Sequence, residues 1–325
     1  MDSHKHPTQA TPRRRIEAID LARGIALLAM VVYHFTWDLE FFGYAGQGLT
    51  AESGWRLFAR CIASSFLFLV GVSLVLAHGR QIRWRGFWLR FAMILASAAA
   101  ITAGTWFFIG VPGFIFFGIL HQIAFASLAG LLFLRLPALL TLVLAACVIA
   151  APLFLRSEFF DHPALWWVGL SSADPRSNDY VPVFPWFGAV LAGIGVAGIA
   201  FHYGLFARLA EIRLGRWSAP IRFFGRHSLA FYLVHQPLLI GGLWLASQVL
   251  PPPPASPESF KRACVTQCVG PYDTAFCTRY CDCFYDELVS KGVSEAVLAN
   301  RVTPEIEAMI PEISSFCTIE TEAGQ

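Results

Sequence analysis

Long apolar blocks separated by short polar loops constrain this chain more than any single motif does. They run at about 19–42, 55–77, 87–109, 113–134, 136–155, 181–203 and 226–250. Each is close to the ~20 residues that a helix needs to cross a ~30 Å hydrocarbon core. Backbone groups in lipid must be satisfied within their own segment, and the roughly 10-residue alternation of barrel strands is absent, so the blocks read as helices. Only 14% of residues are charged and 56% are hydrophobic, against about 25% charged in soluble domains. The first block is too long for a signal-peptide core and no small-residue cleavage site follows it, so it reads as a retained helix. The spacing therefore predicts an all-α, polytopic transmembrane helix bundle of about seven spans over 16–250, preceded by a disordered basic leader at 1–15. The fifth block is the weakest, because Pro152 interrupts its end.

Arginine placement orients the bundle. The leader ends in Arg13, Arg14 and Arg15, residues 78–90 hold Arg80, Arg83, Arg85 and Arg90, and residues 203–226 hold Arg208, Arg213, Arg216, Arg222 and Arg226. With Arg135 between the fourth and fifth blocks, these segments share one side, which the positive-inside rule makes cytoplasmic. The expectation is a multi-pass protein of the cell (inner) membrane with a cytoplasmic N-terminus and residues 251–325 outside the cytoplasm.

That last region is polar and holds six of the eight cysteines: Cys264, Cys268, Cys277, Cys281, Cys283 and Cys317. Residues i and i+4 share a helix face, and the positions are symmetric about a turn at Gly270-Pro271. A helical hairpin with disulfides Cys264–Cys281 and Cys268–Cys277 follows, with Cys283–Cys317 as a third bond. Six cysteines allow 15 pairings, and clustered thiolates also suit zinc. An oxidising compartment and the lack of a tail histidine favour disulfides, so no metal is predicted. Cys61 and Cys147, inside apolar blocks, read as buried packing residues.

Ionisable groups inside spans are expensive and mark candidate functional sites. Asp20 and Arg23 are three apart and can pair. His34 and Asp38 are one turn apart, the arrangement of a general base with an orienting carboxylate. Arg56 and Arg60 lie at a similar depth to Asp38 and Glu40, so charge pairing is expected there. His121-Gln122 and His235-Gln236-Pro237 add polar groups in the fourth and seventh blocks, where helix–helix hydrogen bonds are the alternative use.

Four segments in order resemble one family. Arg15-Ile16-x-x-Ile19-Asp20-x-x-Arg23-Gly24-Ile25-Ala26, with Met30 and His34 after it, is similar to the opening signature of the heparan-α-glucosaminide N-acetyltransferase-like membrane proteins. The run from Phe66 to Leu74 resembles that family's second helix, Gly118 to Ala124 its central motif, and Gly225 to Pro237 the closing motif of its bacterial members. The resemblance covers about 15–245 and leaves the tail outside. It implies transfer of an acetyl group from cytosolic acetyl-CoA, the co-substrate, to an acceptor, typically an amino sugar. His34 would be the base, Asp38 its orienter and His121 a second polar group near the acyl carbon. Arg83, Arg85, Arg213 and Arg216 are the candidates for the CoA phosphates, since guanidinium pairs bidentately with phosphate. The lysosomal member carries a histidine implicated in catalysis shortly after helix one, whereas residues 43–55 here contain none. Either His34 takes that role, or the chemistry differs, or it is lost.

The leading reading is thus a membrane acyltransferase acting on a glycan or envelope acceptor. A proton-coupled transporter or flippase and a non-catalytic scaffold with a partner-binding tail are the alternatives. The bilayer is the expected environment, a homo-oligomer is left open, and no nucleic-acid partner is expected.

Overall fold

The computed structural model of the chain describes residues 15–323, apart from 47, 111–112, 254, 270–271 and 300. Most of the basic leader, Pro254 and the turn expected at Gly270-Pro271 lie outside the described residues. Helices form throughout: α1 (Glu17–Phe41), α2 (Ser53–His78), α3 (Trp84–Phe108), α4 (Ile119–Ala129), α5 (Ala138–Ala150), α6 (Val183–His202), α7 (Leu205–Glu211), α8 (Ala219–Arg226), α9 (Ser228–Val249), α10 (Pro257–Cys268), α11 (Thr274–Ser290), α12 (Ser294–Leu298) and α13 (Pro304–Ala323). No strand is present among the described residues.

All the apolar blocks are helical, and α1, α2, α3, α6 and α9 are long and apolar enough to cross a membrane. The other two are shorter than expected. Continued by 3-10 turns to Phe133 and Leu153, α4 and α5 reach only roughly 23 Å at ~1.5 Å per residue. The chain remains non-helical from 113 until Gly118, which is extended. Pro137, in a non-helical conformation, fixes the start of α5.

The chain divides into two compact units, 15–28 with 62–232 and 29–61 with 233–323. In the first, Leu67, Val72, Leu74 and Val75 of α2 pack with Phe187, Val190, Leu191 and Ile194 of α6. Lipid offers no hydrophobic gain for helix association, so helices must gain by close approach. Glycine permits it. A Cβ on Gly71 would run into the Val190 carbonyl oxygen, and one on Gly193 into that of Phe68. On the other side of α6, a Cβ on Gly188 would sit 2.9 Å from the Ala145 carbonyl oxygen of α5. Apolar side chains such as Phe108, Leu132 and Leu139 point outward, as lipid-facing surface requires. Cys61 and Cys147 also lie on outward faces and are exposed, which corrects their reading as buried packing residues.

In the second unit Glu40 organises the segment after α1. Its carboxylate accepts from the backbone N–H groups of Gly48 and Thr50 and from the Thr50 hydroxyl. The Tyr44 hydroxyl donates to the Leu250 carbonyl where α9 ends. Beyond Pro251–Pro253 the tail folds as helices joined by the three expected disulfides, Cys264–Cys281, Cys268–Cys277 and Cys283–Cys317. The first two are rungs between α10 and α11; the third ties α11 to α13. Asp273 and Ser256 cap α11 and α10 by accepting from Phe276 and Ser259 N–H groups, which satisfies otherwise orphaned donors. One buried cluster of the tail holds Leu288, Ile313 and Cys317, flanked by Phe260, Tyr280, Phe284 and Met309; Ala263, Phe276, Cys277, Cys281 and Ile306 are buried as well.

Candidate functional site

In the second unit, α1 and α9 bring four of the expected residues together. The Gln236 Nε2 amide donates to Asp38 Oδ1 at 2.7 Å. Asp38 has no solvent exposure, and among the described residues its Oδ2 and the Gln236 Oε1 have no hydrogen-bond partner. The His34 ring meets the His235 ring edge to face, with centroids 5.1 Å apart. Spacing along α1 suggested that Asp38 orients His34. The structure instead gives Asp38 the amide of Gln236 and gives His34 the ring of His235. A helix face brings i and i+4 side chains near each other, but a donor amide from a facing helix competes for the carboxylate and here takes it. Arg56 and Arg60 are exposed, and among the described residues no ion pair joins them to Asp38 or Glu40. That expected pairing is absent because Gln236 and the segment after α1 already hold those carboxylates.

The first unit holds His121 and Gln122. The Thr102 hydroxyl donates to the Ile115 carbonyl at 2.7 Å, so its oxygen is left to accept from His121 Nε2, 3.1 Å away. His121 Nδ1 accepts from the Gly118 N–H at 3.2 Å. These bonds select the Nε2–H tautomer and commit both ring nitrogens to closing the start of α4. Asp179, which the sequence did not single out, accepts from the Ile119 N–H at 2.9 Å. Burial pushes its carboxyl up to about 6, against the pull of that N–H. Gln122 is fully buried, and its amide atoms have no hydrogen-bond partner among the described residues.

The same unit contains an open pocket of about 460 Å³ lined by Arg15, Glu17, Asp20, Arg213, Arg222 and Arg226, with Ala219 and Phe223. Gly24 and Gly225 build it. A Cβ on Gly24 would strike the Ile221 carbonyl oxygen, and one on Gly225 that of Asp20, so α8 lies directly on the start of α1. Asp20 pairs with Arg15 at 2.7 Å and with Arg23 at 3.6 Å, the second being the pair expected from spacing. Arg23 also donates to the Ser73 hydroxyl. Glu17 pairs with Arg213 and Arg222 and accepts from the Leu214 N–H. Of the four arginines proposed from the sequence, Arg213 lines this pocket. Arg83, Arg85 and Arg216 are exposed and are not among its lining residues. Arg15, Arg222 and Arg226 were missed as a group, although Arg23-Gly24 and Gly225-Arg226 both lie in the segments that carry the family resemblance.

A bundle of apolar helices that buries a His–His contact and an Asp–Gln pair, and also carries an arginine pocket, is an integral membrane protein equipped for polar chemistry. Residues 15–237 match the family described as heparan-alpha-glucosaminide N-acetyltransferase, catalytic. The chain belongs to that family, and its matched region is of the membrane acyltransferase type. The match ends before the cysteine-rich tail. No curated protein and no solved structure matches the chain.

Proposed function

We propose that the chain transfers an acetyl group from acetyl-CoA to a hydroxyl or amine of a glycan or envelope acceptor, with His34 as the base. The observation that carries this reading is the His34–His235 ring contact beside the buried Asp38–Gln236 pair, in a chain matched by an acetyltransferase catalytic family. Held within apolar helices, the His34 imidazole can take the acceptor's proton as that oxygen or nitrogen attacks the thioester carbonyl, and return it to the CoA sulfur as the C–S bond breaks and CoA leaves as the free thiol. Asp38, one turn along α1, supplies negative charge that favours the imidazolium as it develops, and Gln236 keeps that carboxylate in place. His235 fixes the His34 ring by edge-to-face contact. His121, with both nitrogens committed at the start of α4, positions that helix rather than moving a proton.

The arginine pocket supports an anionic donor. Four guanidiniums face two carboxylates there, leaving a positive surplus that suits CoA phosphates. The arginine-rich segments argue for a cytoplasmic N-terminus and donor side. The disulfide-linked tail then lies outside the cytoplasm, where such bonds persist. The test is acetyl-CoA turnover by purified protein in detergent, with His34→Ala beside the parent chain. A loss of about 10²–10⁴-fold at unchanged melting temperature is expected for a lost general base; full turnover by the variant overturns the assignment.

A further inference from the structure

The two carboxylates of the arginine pocket are not equivalent. Asp20 is 4% exposed and is held by Arg15 and Arg23, so it belongs to the framework. Glu17, the first residue of α1, is the more exposed of the two, with its side chain 24% exposed. It spans the pocket by pairing with Arg213 and Arg222. Around it, positive charge is underused. The Arg222 Nε is buried with no hydrogen-bond partner among the described residues. Arg226 lines the pocket and forms no ion pair among the described residues. A carboxylate in this position acts as a resident anion, holding guanidiniums that an incoming anion would need.

We infer that Glu17 is the specificity-determining residue of this pocket, a carboxylate that only a phosphate monoester dianion displaces. A monoanion arriving at Arg213 and Arg222 would exchange one negative charge for another and gain little. A phosphate monoester brings two charges and three terminal oxygens, enough to engage the fork of Arg222 and reach Arg226 at the same time. Displaced from the arginines, Glu17 also gives up the Leu214 N–H and turns to solvent, where a carboxylate is well hydrated. CoA carries one such monoester, and dephospho-CoA lacks it. The assignment of CoA as the source rests on the function proposed above; an anionic lipid headgroup offers the same chemistry.

Calorimetric titration of the full-length chain in detergent with CoA, dephospho-CoA and inorganic phosphate tests this without any turnover. Arg222→Gln should weaken CoA binding by about tenfold, the value of one charge-assisted hydrogen bond. Arg226→Gln, which breaks no ion pair seen in the structure, should weaken it in the same direction with unchanged melting. Glu17→Gln should tighten CoA several-fold and shrink the preference for CoA over dephospho-CoA. Weaker CoA binding by Glu17→Gln, or saturable CoA binding that dephospho-CoA matches in affinity, overturns the inference. Nanodiscs separate the sources. If phosphatidic acid competes with inorganic phosphate where phosphatidylcholine does not, and CoA does not compete, the selectivity stands and the lipid is the ligand. Normal CoA binding with no acetyl turnover would leave this pocket assigned while removing the proposed function.

Discussion

The bundle and the tail hold their helices together by different means. In the bundle α2 and α6 meet through Gly71 and Gly193, each lying where a side chain would strike the other helix's backbone. In the tail the buried side chains of α10, α11 and α13 include the half-cystines Cys277, Cys281 and Cys317 beside Phe276, Leu288 and Ile313, and three disulfides join the helices. Between apolar helices in lipid, close backbone approach supplies the dispersion contact that water would otherwise drive. A short polar segment has too little core to fold alone, so covalent links restrict its unfolded chain instead. The bundle should therefore be sensitive to volume and indifferent to reductant, and the tail the reverse.

The largest effect that could break this contrast is steric. Gly193→Leu should cost more than ~3 kcal/mol and abolish recovery of folded protein in detergent. Gly104→Leu in α3, where an added Cβ meets nothing within 4 Å, should be recovered normally. Equal behaviour of the two would refute the close-packing account. Next come the disulfides. Serine replacement of a pair in the full chain should cost roughly 3 kcal/mol of tail stability. The loss should be greatest for Cys283–Cys317, which closes 34 residues, and least for Cys268–Cys277, which closes 9. Hydrogen exchange of the tail reads this order, and exchange in α2 and α6 should not change.

A smaller effect is expected at the buried polar pair. Gln236→Leu removes the donor that Asp38 has in the structure and should destabilise by about 1–3 kcal/mol. Adding Asp38→Leu should recover much of that loss in thermal melts; no recovery would mean the pair is not coupled. The smallest expected effect is that of Asp179. Its carboxyl titrates near 6 when folded, above the ordinary range, so the folded state holds this proton more tightly than the unfolded one. Its stabilising contribution is full below the ordinary carboxylate pKa and is lost as pH rises through about 6. The melting temperature of the parent chain relative to Asp179→Asn should fall across that window. A flat difference would contradict the burial that raises the Asp179 pKa.

Hydropathy was enough to locate the five helices long and apolar enough to cross a membrane and the two shorter apolar ones, because span length is set by the bilayer rather than by partners. The tail pairing was legible too, since the cysteine positions mirror each other about the expected turn. Contacts made across large sequence distances were not legible. Local spacing paired His34 with Asp38, whereas the competing amide lies 198 residues away in Gln236. Loop-by-loop grouping of arginines found Arg213 but not the pocket, because Glu17 and Arg15 come from one end of the matched region and Arg222 and Arg226 from the other. Asp179 was passed over because its role is to cap a helix 60 residues earlier. The ends of α4 and α5 shifted because turn chemistry at Gly118 and Pro137 overrides hydropathy.

In the proposed function His34 and His235 work as one unit, the base and the ring that holds it. A double-mutant cycle on acetyl-CoA turnover, using His34→Ala, His235→Ala and the combined variant, tests it most directly. If the two rings act together, the double variant loses no more than the more damaged single variant, because effects within one catalytic unit are not additive. Full activity of His235→Ala, or losses that simply multiply, would contradict it.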